Sequence, residues 1–459
     1  MTEKTENQKN VEETTEKKTE ETEVEKEVNK IIELKETQRD VFYTPYLFDS
    51  KKNILAEQIY KDGKFLFAVA NYNKGIVEER EEIEVANRIY KPVEAELLRK
   101  RNVVVFPSGC TDYGTLEDLV KDIRAFIYKY WDAKNPSDYD LSTYYILHSY
   151  LYDKFDEVPY LQNLGYFGSG KTRNLFTVGG LCYRATFISG ALTESPLFHV
   201  IEIFRGTINI DEGDWAASDM WSSIIKILNH GYCKGMSVIK MRKGKDGILF
   251  PTPYNTYCPK ILTTRRSFGD KALDSRCIKL YAKDSDSIRE DIPLNLTREF
   301  YVERQNLINK LLLWRMNNYQ RTKLDRSLQY EIKCSNPRLK QIMIPIISSV
   351  NDPVAHEKLI EYLTQREKNL ITERKNTIEY SVFEAIFDFA KKGKYPTVGE
   401  IAEKVKTLSH LDLSSQRCGR IIKNILGFVT ETDTDGHKRL FWKKEQLVRL
   451  GKRFGLTIK

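Results

Sequence analysis

Gly165-Tyr166-Phe167-Gly168-Ser169-Gly170-Lys171-Thr172 is the stretch on which the reading of this chain turns. It meets the template G-x-x-x-x-G-K-[ST] at every fixed position. Glycine at those points lets backbone N–H groups close around phosphate oxygens, where a side chain would obstruct. Gly165, Gly168, Ser169 and Gly170 would form the cradle. Lys171 has the reach for the outer phosphates, and Thr172 carries a hydroxyl for a magnesium ion. The flanks agree: the apolar run Tyr160–Leu164 reads as a strand, and 173–183 is compatible with a helix. Strand, loop and helix in that order are the context a phosphate loop requires, so ATP and Mg2+ are the expected ligands.

Some forty residues downstream, Gly206-Thr207-Ile208-Asn209-Ile210-Asp211-Glu212 is a β-prone run ending in two acids. A phosphate-loop enzyme needs a carboxylate at a neighbouring strand end to hold magnesium, which suits Asp211, and a second to polarise the attacking water, which suits Glu212. An acid pair alone is weak, because such pairs also cap strands. Behind a complete phosphate loop it points to hydrolysis as well as binding.

At 459 residues the chain has room for about two to four domains. It contains no run of about 18 apolar residues, which argues against a membrane span, and its first residues are too polar for a secretory signal. Its seven cysteines are scattered, with no C-x-x-C pair, which suggests neither a disulfide framework nor a zinc site and fits a reducing, cytoplasmic setting. The formal charge is +8, but residues 1–40 hold thirteen acids and eight bases, a net of −5, leaving +13 on the rest. A basic body suggests a polyanionic partner such as DNA, although a solvated lysine-rich surface gives the same total.

Along the chain, residues 1–40 read as a disordered charged tail and 41–110 as a small β-rich accessory domain. Within the latter, Ile54–Tyr60 and Phe65–Ala70 read as a hairpin, and Ile83–Tyr90 as a further strand. Residues 111–158 read as a helical connector, with helices over 115–130 and 140–155. Alternating strands and helices over 159–293 predict an α/β fold, a parallel sheet of P-loop NTPase type. Residues 294–377 read as a helical lid. Residues 378–459 read as helix, helix, helix, hairpin: a winged helix-turn-helix, with a capping box at Thr397–Glu400 and an Asp-Gly turn at 435–436.

Several further positions carry chemistry. Thr263 and Thr264 end the strand expected beside the acidic one, and one of the two hydroxyls would position the attacking water. Arg276 is the best candidate for an arginine finger reaching a neighbouring subunit's nucleotide, with Arg265 and Arg266 as competitors. Arg338, opening a lid helix, has the reach for the γ-phosphate in its own subunit. Any one of these arginines is also an ordinary surface salt-bridge former. Residues 236–250 read as a hairpin with a basic tip, where Lys240, Arg242, Lys243 and Lys245 would grip a DNA backbone, or simply face water. On the third C-terminal helix, Gln416, Arg417, Arg420 and Lys423 share one face, and Lys438 and Arg439 lie on the wing. Together they suit DNA contact, or protein docking.

The set P-Y-L-Q-N-L-G-Y-F-G-S-G-K-T (159–172), I-N-I-D-E (208–212), N-H-G-Y-C-K-G (229–235), C-P-K-I-L-T-T (258–264), A-L-D-S-R-C (272–277) and P-R-L-K-Q-I-M-I-P-I (337–346) resembles the AAA+-type ATPases of phages, plasmids and archaeal mobile elements. Those proteins are distantly similar to minichromosome-maintenance and superfamily III ring helicases. The resemblance covers roughly residues 140–375. It implies a magnesium-dependent ATPase, hexameric, taking single-stranded DNA through a central channel. The chain departs from the family in lacking a separate primase or nuclease motif and the zinc ligands seen near the N-terminus of some replicative helicases. The competing reading is an ATP-switched DNA-binding regulator or partition protein, which has no need of a basic channel hairpin.

Overall fold

A computed structural model describes residues 41–189, 193–211, 219–244 and 247–456. The expected charged tail lies outside the described residues, as do Glu212 and Lys245. The chain divides into two compact units: one takes in the described residues up to Gln329 together with Gln341–Leu359, the other Tyr330–Lys340 and the residues from Ile360 onward.

The first unit is built around five parallel strands: β1 (Tyr160–Leu164), β2 (Thr186–Ile188), β3 (Ile208–Ile210), β4 (Lys260–Thr264) and β5 (Cys277–Tyr281). Their order across the sheet is β5-β1-β4-β3-β2. β1, β3 and β4 are buried at every residue, as expected where helices cover both faces of a parallel sheet. Three helices follow strands of this sheet: α1 (Lys171–Thr177) after β1, α2 (Glu194–Phe204) after β2 and α3 (Asp219–His230) after β3. The Tyr160 hydroxyl donates to the Leu228 carbonyl, tying β1 to α3.

Residues 41–91 form a four-stranded antiparallel sheet and a three-stranded sheet. The hairpin Ile54–Lys61 with Lys64–Asn71 turns on Asp62-Gly63, both at positive φ (50° and 81°), the geometry that matches strand twist. The single strand expected over 83–90 is instead two, Ile83–Val85 and Arg88–Lys91, because Ala86 and Asn87 both adopt positive φ and reverse the chain. These sheets belong to the same compact unit as the phosphate-loop sheet, where a separate accessory domain over 41–110 was expected. The connection is electrostatic and buried. Glu57, 1 % exposed, receives the Arg315 Nε at 2.7 Å, the Tyr183 hydroxyl at 2.8 Å and the Arg184 guanidinium. The Arg315 Nη1 and Nη2 atoms each lie 2.9 Å from an Asp153 oxygen. Burial pushes the Asp153 carboxyl up, yet the charge and hydrogen bonds of Arg315 outweigh it and hold the group below its ordinary value.

The expected connector helices are Leu116–Tyr130 and Pro136–Ser149. Thr115 caps the first, accepting from the Asp118 N–H at 3.1 Å. The second starts four residues earlier than expected, because Asn135 caps it and Pro136 fits its first turn. Helix Arg298–Asn318, read from sequence as part of a lid, lies in the first unit and carries the fully buried Arg315. In the second unit, helices Ile378–Lys391, Val398–Ser409 and Ser415–Arg420 precede a hairpin, Val429–Thr432 with Lys438–Phe441. A further helix, Lys444–Phe454, which the sequence reading did not include, closes an apolar core around Phe383, Ile386, Ile401, Ile422 and Leu447.

Two buried groups set expectations for stability. Glu57→Gln should cost about 3–5 kcal/mol, because it strips buried Arg184 and Arg315 of their shared counter-charge; denaturant unfolding measures this. His148 is fully buried, its Nδ1 lies 2.7 Å from Ser349 Oγ, and burial lowers its pKa from 6.5 to about 3. The unfolded chain therefore takes up a proton that the folded chain refuses. Stability should be complete above about pH 6.5 and decline toward pH 3, by up to about 1.4 kcal/mol per pH unit. His148→Gln should flatten that part of the decline in unfolding midpoints measured across the range.

Candidate nucleotide site

The phosphate loop leaves the carboxyl end of β1 and enters α1, and its backbone explains its glycines. A Cβ on Gly165 would lie 2.5 Å from Ser169 Oγ and 2.7 Å from the Ala282 Cβ, so no larger residue fits beside β5. Gly170, at φ 77°, is the left-handed residue that turns the chain into the first residue of α1, Lys171. Ser169 Oγ donates to the Tyr166 carbonyl at 2.7 Å, closing the loop on itself. Lys171 Nζ donates to the carbonyls of Gly165 and Tyr166, both at 2.6 Å, so the ammonium sits over the loop.

Thr172 Oγ1 donates to Asp211 Oδ2 at 2.9 Å, and Thr263 Oγ1 to Asp211 Oδ1 at 2.5 Å. β4 lies between β1 and β3, and the register Thr263↔Asn163 places Thr263 on the face that carries the loop helix. Its neighbour Thr264 points the other way and accepts from Gln162 Nε2 at 2.9 Å. The two hydroxyls left open in the sequence are thus separated by strand alternation: one faces Asp211, the other is bound within the sheet. The Thr172 hydroxyl and Asp211 carboxylate form an all-oxygen donor pair of the kind magnesium takes. Among the described residues no group of three or more His, Cys, Asp or Glu suits a metal, which is compatible with Mg2+, an ion that completes its shell with water and phosphate.

Arg276 stands at the opposite rim. Its carbonyl accepts from the Tyr160 N–H, at the start of β1, while the loop leaves the end of that strand after Leu164. Four residue steps at about 3.3 Å put roughly 13 Å between them. The guanidinium lies 4.3 Å from the Tyr232 ring centroid and donates to Asn229 Oδ1 at 3.0 Å. Arg265 is closer to the loop of its own chain, 4.0 Å from the ring centroid of Phe167. Arg338 is the second residue of helix Pro337–Ser349 and belongs to the second unit.

The hairpin expected over 236–250 pairs Ser237–Lys243 with Leu249–Asn255. Alternation sends Lys240 and Arg242 toward α2: Lys240 Nζ is 2.5 Å from Glu194, and burial together with the Arg242 charge lowers the pKa of His199. Ile239, Met241 and Leu249 are exposed, with Pro251 and Pro253 opposite Met241 and Ile239. Among the described residues the outward face carries Ile239, Met241 and Leu249 with Lys243 near its end, while Lys245 of the expected basic tip lies outside the described residues. In the second unit Gln416, Arg417, Arg420 and Lys423 are exposed while Cys418, Ile421 and Ile422 are buried, so the four share the outer face of one helical segment. Lys438 is exposed. Arg439 is anchored, donating to the Tyr395 carbonyl at 2.7 Å and pairing with Asp433 at 3.1 Å.

The sequence reading passed over Gln162 and Asn163, two fully buried amides in an otherwise apolar strand, a pattern that could have marked them. Asn163 Nδ2 donates to the Lys171 carbonyl at 3.3 Å. It also passed over Arg173, whose guanidinium donates to the carbonyls of Pro293 and Leu294.

No protein-family model matches the sequence, and no curated protein does. Among solved structures the chain is similar to the NrS-1 C terminal region (12 % identity, 85 % of this chain and 96 % of that one, TM-score 0.39). It is similar also to a full-length MCM homolog from Methanopyrus kandleri (11 %, 68 % and 73 %, TM-score 0.36) and to the JCV helicase (12 %, 63 % and 69 %, TM-score 0.27).

Gly165→Ala should cost about 1–3 kcal/mol by forcing β5 and the loop apart. A thermal unfolding series that also includes Ser169→Ala, which removes one of the two crowding atoms, should show partial recovery.

Proposed function

We propose that the chain is an ATPase driving a DNA helicase or translocase in replication, assembled as a ring, with hexamer the expected size. The observation that carries this is the bridge Thr172–Asp211–Thr263 beside a complete phosphate loop. Backbone N–H groups of the loop would bind the phosphates, and Lys171 would turn from the loop carbonyls to the outer phosphates. Thr172 and Asp211 would hold magnesium, which supplies charge neutralisation at the transferring phosphoryl group. Thr263 keeps Asp211 oriented, and Glu212 takes the role of the base that polarises water. Arg276, at the far rim of its own sheet, is suited to a neighbour's nucleotide. The C-terminal helices and hairpin would act as a winged helix on duplex DNA, through Gln416, Arg417, Arg420, Lys423 and Lys438.

One observation favours a second reading. Lys240 is paired to Glu194 and Arg242 faces α2, so among the described residues the hairpin offers little positive charge for gripping a strand. An ATP-switched DNA-binding regulator needs no such grip. Acceleration of ATP hydrolysis by single-stranded DNA supports the translocase; a rate indifferent to DNA supports the regulator.

Lys171→Ala should abolish ATP binding, whereas Glu212→Gln should bind ATP and fail to hydrolyse it; a normal rate in the latter would remove Glu212 from the mechanism. Thr263→Val should lower the hydrolysis rate far more than Thr264→Val, since only the first hydroxyl meets Asp211. Arg276→Ala should bind ATP yet hydrolyse it on the order of a hundredfold or more slowly. Mixed with excess Lys171→Ala protein, it should regain activity above either variant alone, because mixed rings contain some complete sites. No recovery, in a protein that stays monomeric with ATP and DNA, would overturn the ring.

A further inference from the structure

The C-terminal unit carries a second exposed group, on residues other than Gln416, Arg417, Arg420 and Lys423. Tyr395 stacks on Trp442, with ring centroids 5.1 Å apart and planes at 23°, and lies 5.5 Å from Phe441 at 34°. These rings are not sealed in a core: Tyr395 is 42 % exposed and Phe441 40 %. Their placement is nevertheless rigid. Trp442 Nε1 donates to the Lys394 carbonyl at 3.3 Å, Arg439 to the Tyr395 carbonyl at 2.7 Å, and the Leu440 N–H to the Pro396 carbonyl at 2.8 Å. The chain before helix Val398–Ser409 is thereby laced to the hairpin strand Lys438–Phe441, and the aromatic group sits at their junction. Lys394, Lys438 and Lys443, all exposed, flank it in the chain, and none forms an ion pair among the described residues.

Exposed aromatic rings held in place and bordered by exposed ammonium groups are the chemistry that takes up unstacked bases: the rings meet the base faces, and the lysines meet the phosphates between them. A duplex keeps its base faces covered, so this surface has little to offer it beyond the lysines. We propose that Tyr395 and Phe441, backed by Trp442, form a stacking platform for single-stranded nucleic acid, with Lys394 and Lys443 as its phosphate contacts. The same unit would then hold a single strand at Tyr395 and Phe441 and a duplex at the helix face and Lys438. The platform does not depend on the ATPase reading, since no residue of it takes part in nucleotide chemistry.

The test uses the full chain without nucleotide. Oligothymidine carrying 5-iododeoxyuridine should photocross-link to Tyr395, Phe441 or Trp442, mapped by mass spectrometry. Tyr395→Leu/Phe441→Leu, which keeps apolar bulk but removes the rings, should weaken oligothymidine binding by about five- to a hundredfold in fluorescence anisotropy while leaving blunt-duplex affinity unchanged. Tyr395→Phe should retain full binding, which separates loss of a ring from loss of fold. If the leucine pair does not fold, as judged by circular dichroism, the single Phe441→Leu carries the same test at the lower end of that range. Cross-links confined to other residues, unchanged single-strand affinity, or equal loss on duplex and single strand would overturn the platform.

Discussion

The candidate phosphate site depends on β4 lying between β1 and β3 in one particular register. Thr263 pairs with Asn163 and Thr264 with Leu164, while Ile210 of β3 pairs with Leu262. Only this alignment brings the end of β3, with Asp211, and the start of α1, with Thr172, to the same rim on the same face. A slip of one residue in β4 would turn Thr263 away and present Thr264, which is bound to Gln162 on the opposite face. A parallel sheet buried on both faces resists that slip, since every side chain would have to change layer.

A second constraint holds the body around that sheet. Glu57 comes from the N-terminal strands, Arg184 from the segment after the loop helix, Asp153 from the turn before β1, and Arg315 from helix Arg298–Asn318. Buried ion pairs are weak evidence for stability, because desolvation offsets much of the attraction. Their value here lies in exclusivity. Two carboxylates and two guanidiniums can all be satisfied in one arrangement of four distant segments, and an alternative packing of the N-terminal sheets would strand at least one charge in the interior.

What the sequence made legible was local. The glycines of the loop, the Asp62-Gly63 turn and the caps at Thr115 and Thr397 are contacts between residues a few positions apart, so residue type and spacing contain them. The placement of Asp211 beside Thr172 was legible from a strand ending in an acid some forty residues after the loop. The integration of the N-terminal strands was not, since Glu57 meets Arg184 and Arg315 across 127 and 258 residues. The hairpin shows a middle case. Alternation along Ser237–Lys243 divides Ile239 and Met241 from Lys240 and Arg242 in the sequence itself, but only the folded chain reveals that Glu194 claims the basic side. The Ala86-Asn87 reversal was hidden because alanine gives no signal for a left-handed turn.

Pro251 and Pro253 on the hairpin have a consequence for solubility. Alternate residues of a strand direct their backbone groups to the same edge, and proline has no N–H to donate. An isolated two-stranded sheet with an apolar outer face would ordinarily template further strands of its own kind. Here Leu249–Asn255 lacks donors at two successive positions along one margin, so that margin cannot be extended into a continuous ladder. The pair acts as a built-in guard against fibrillar growth, and lets the protein display apolar side chains on an exposed hairpin without offering both of its edges to other chains.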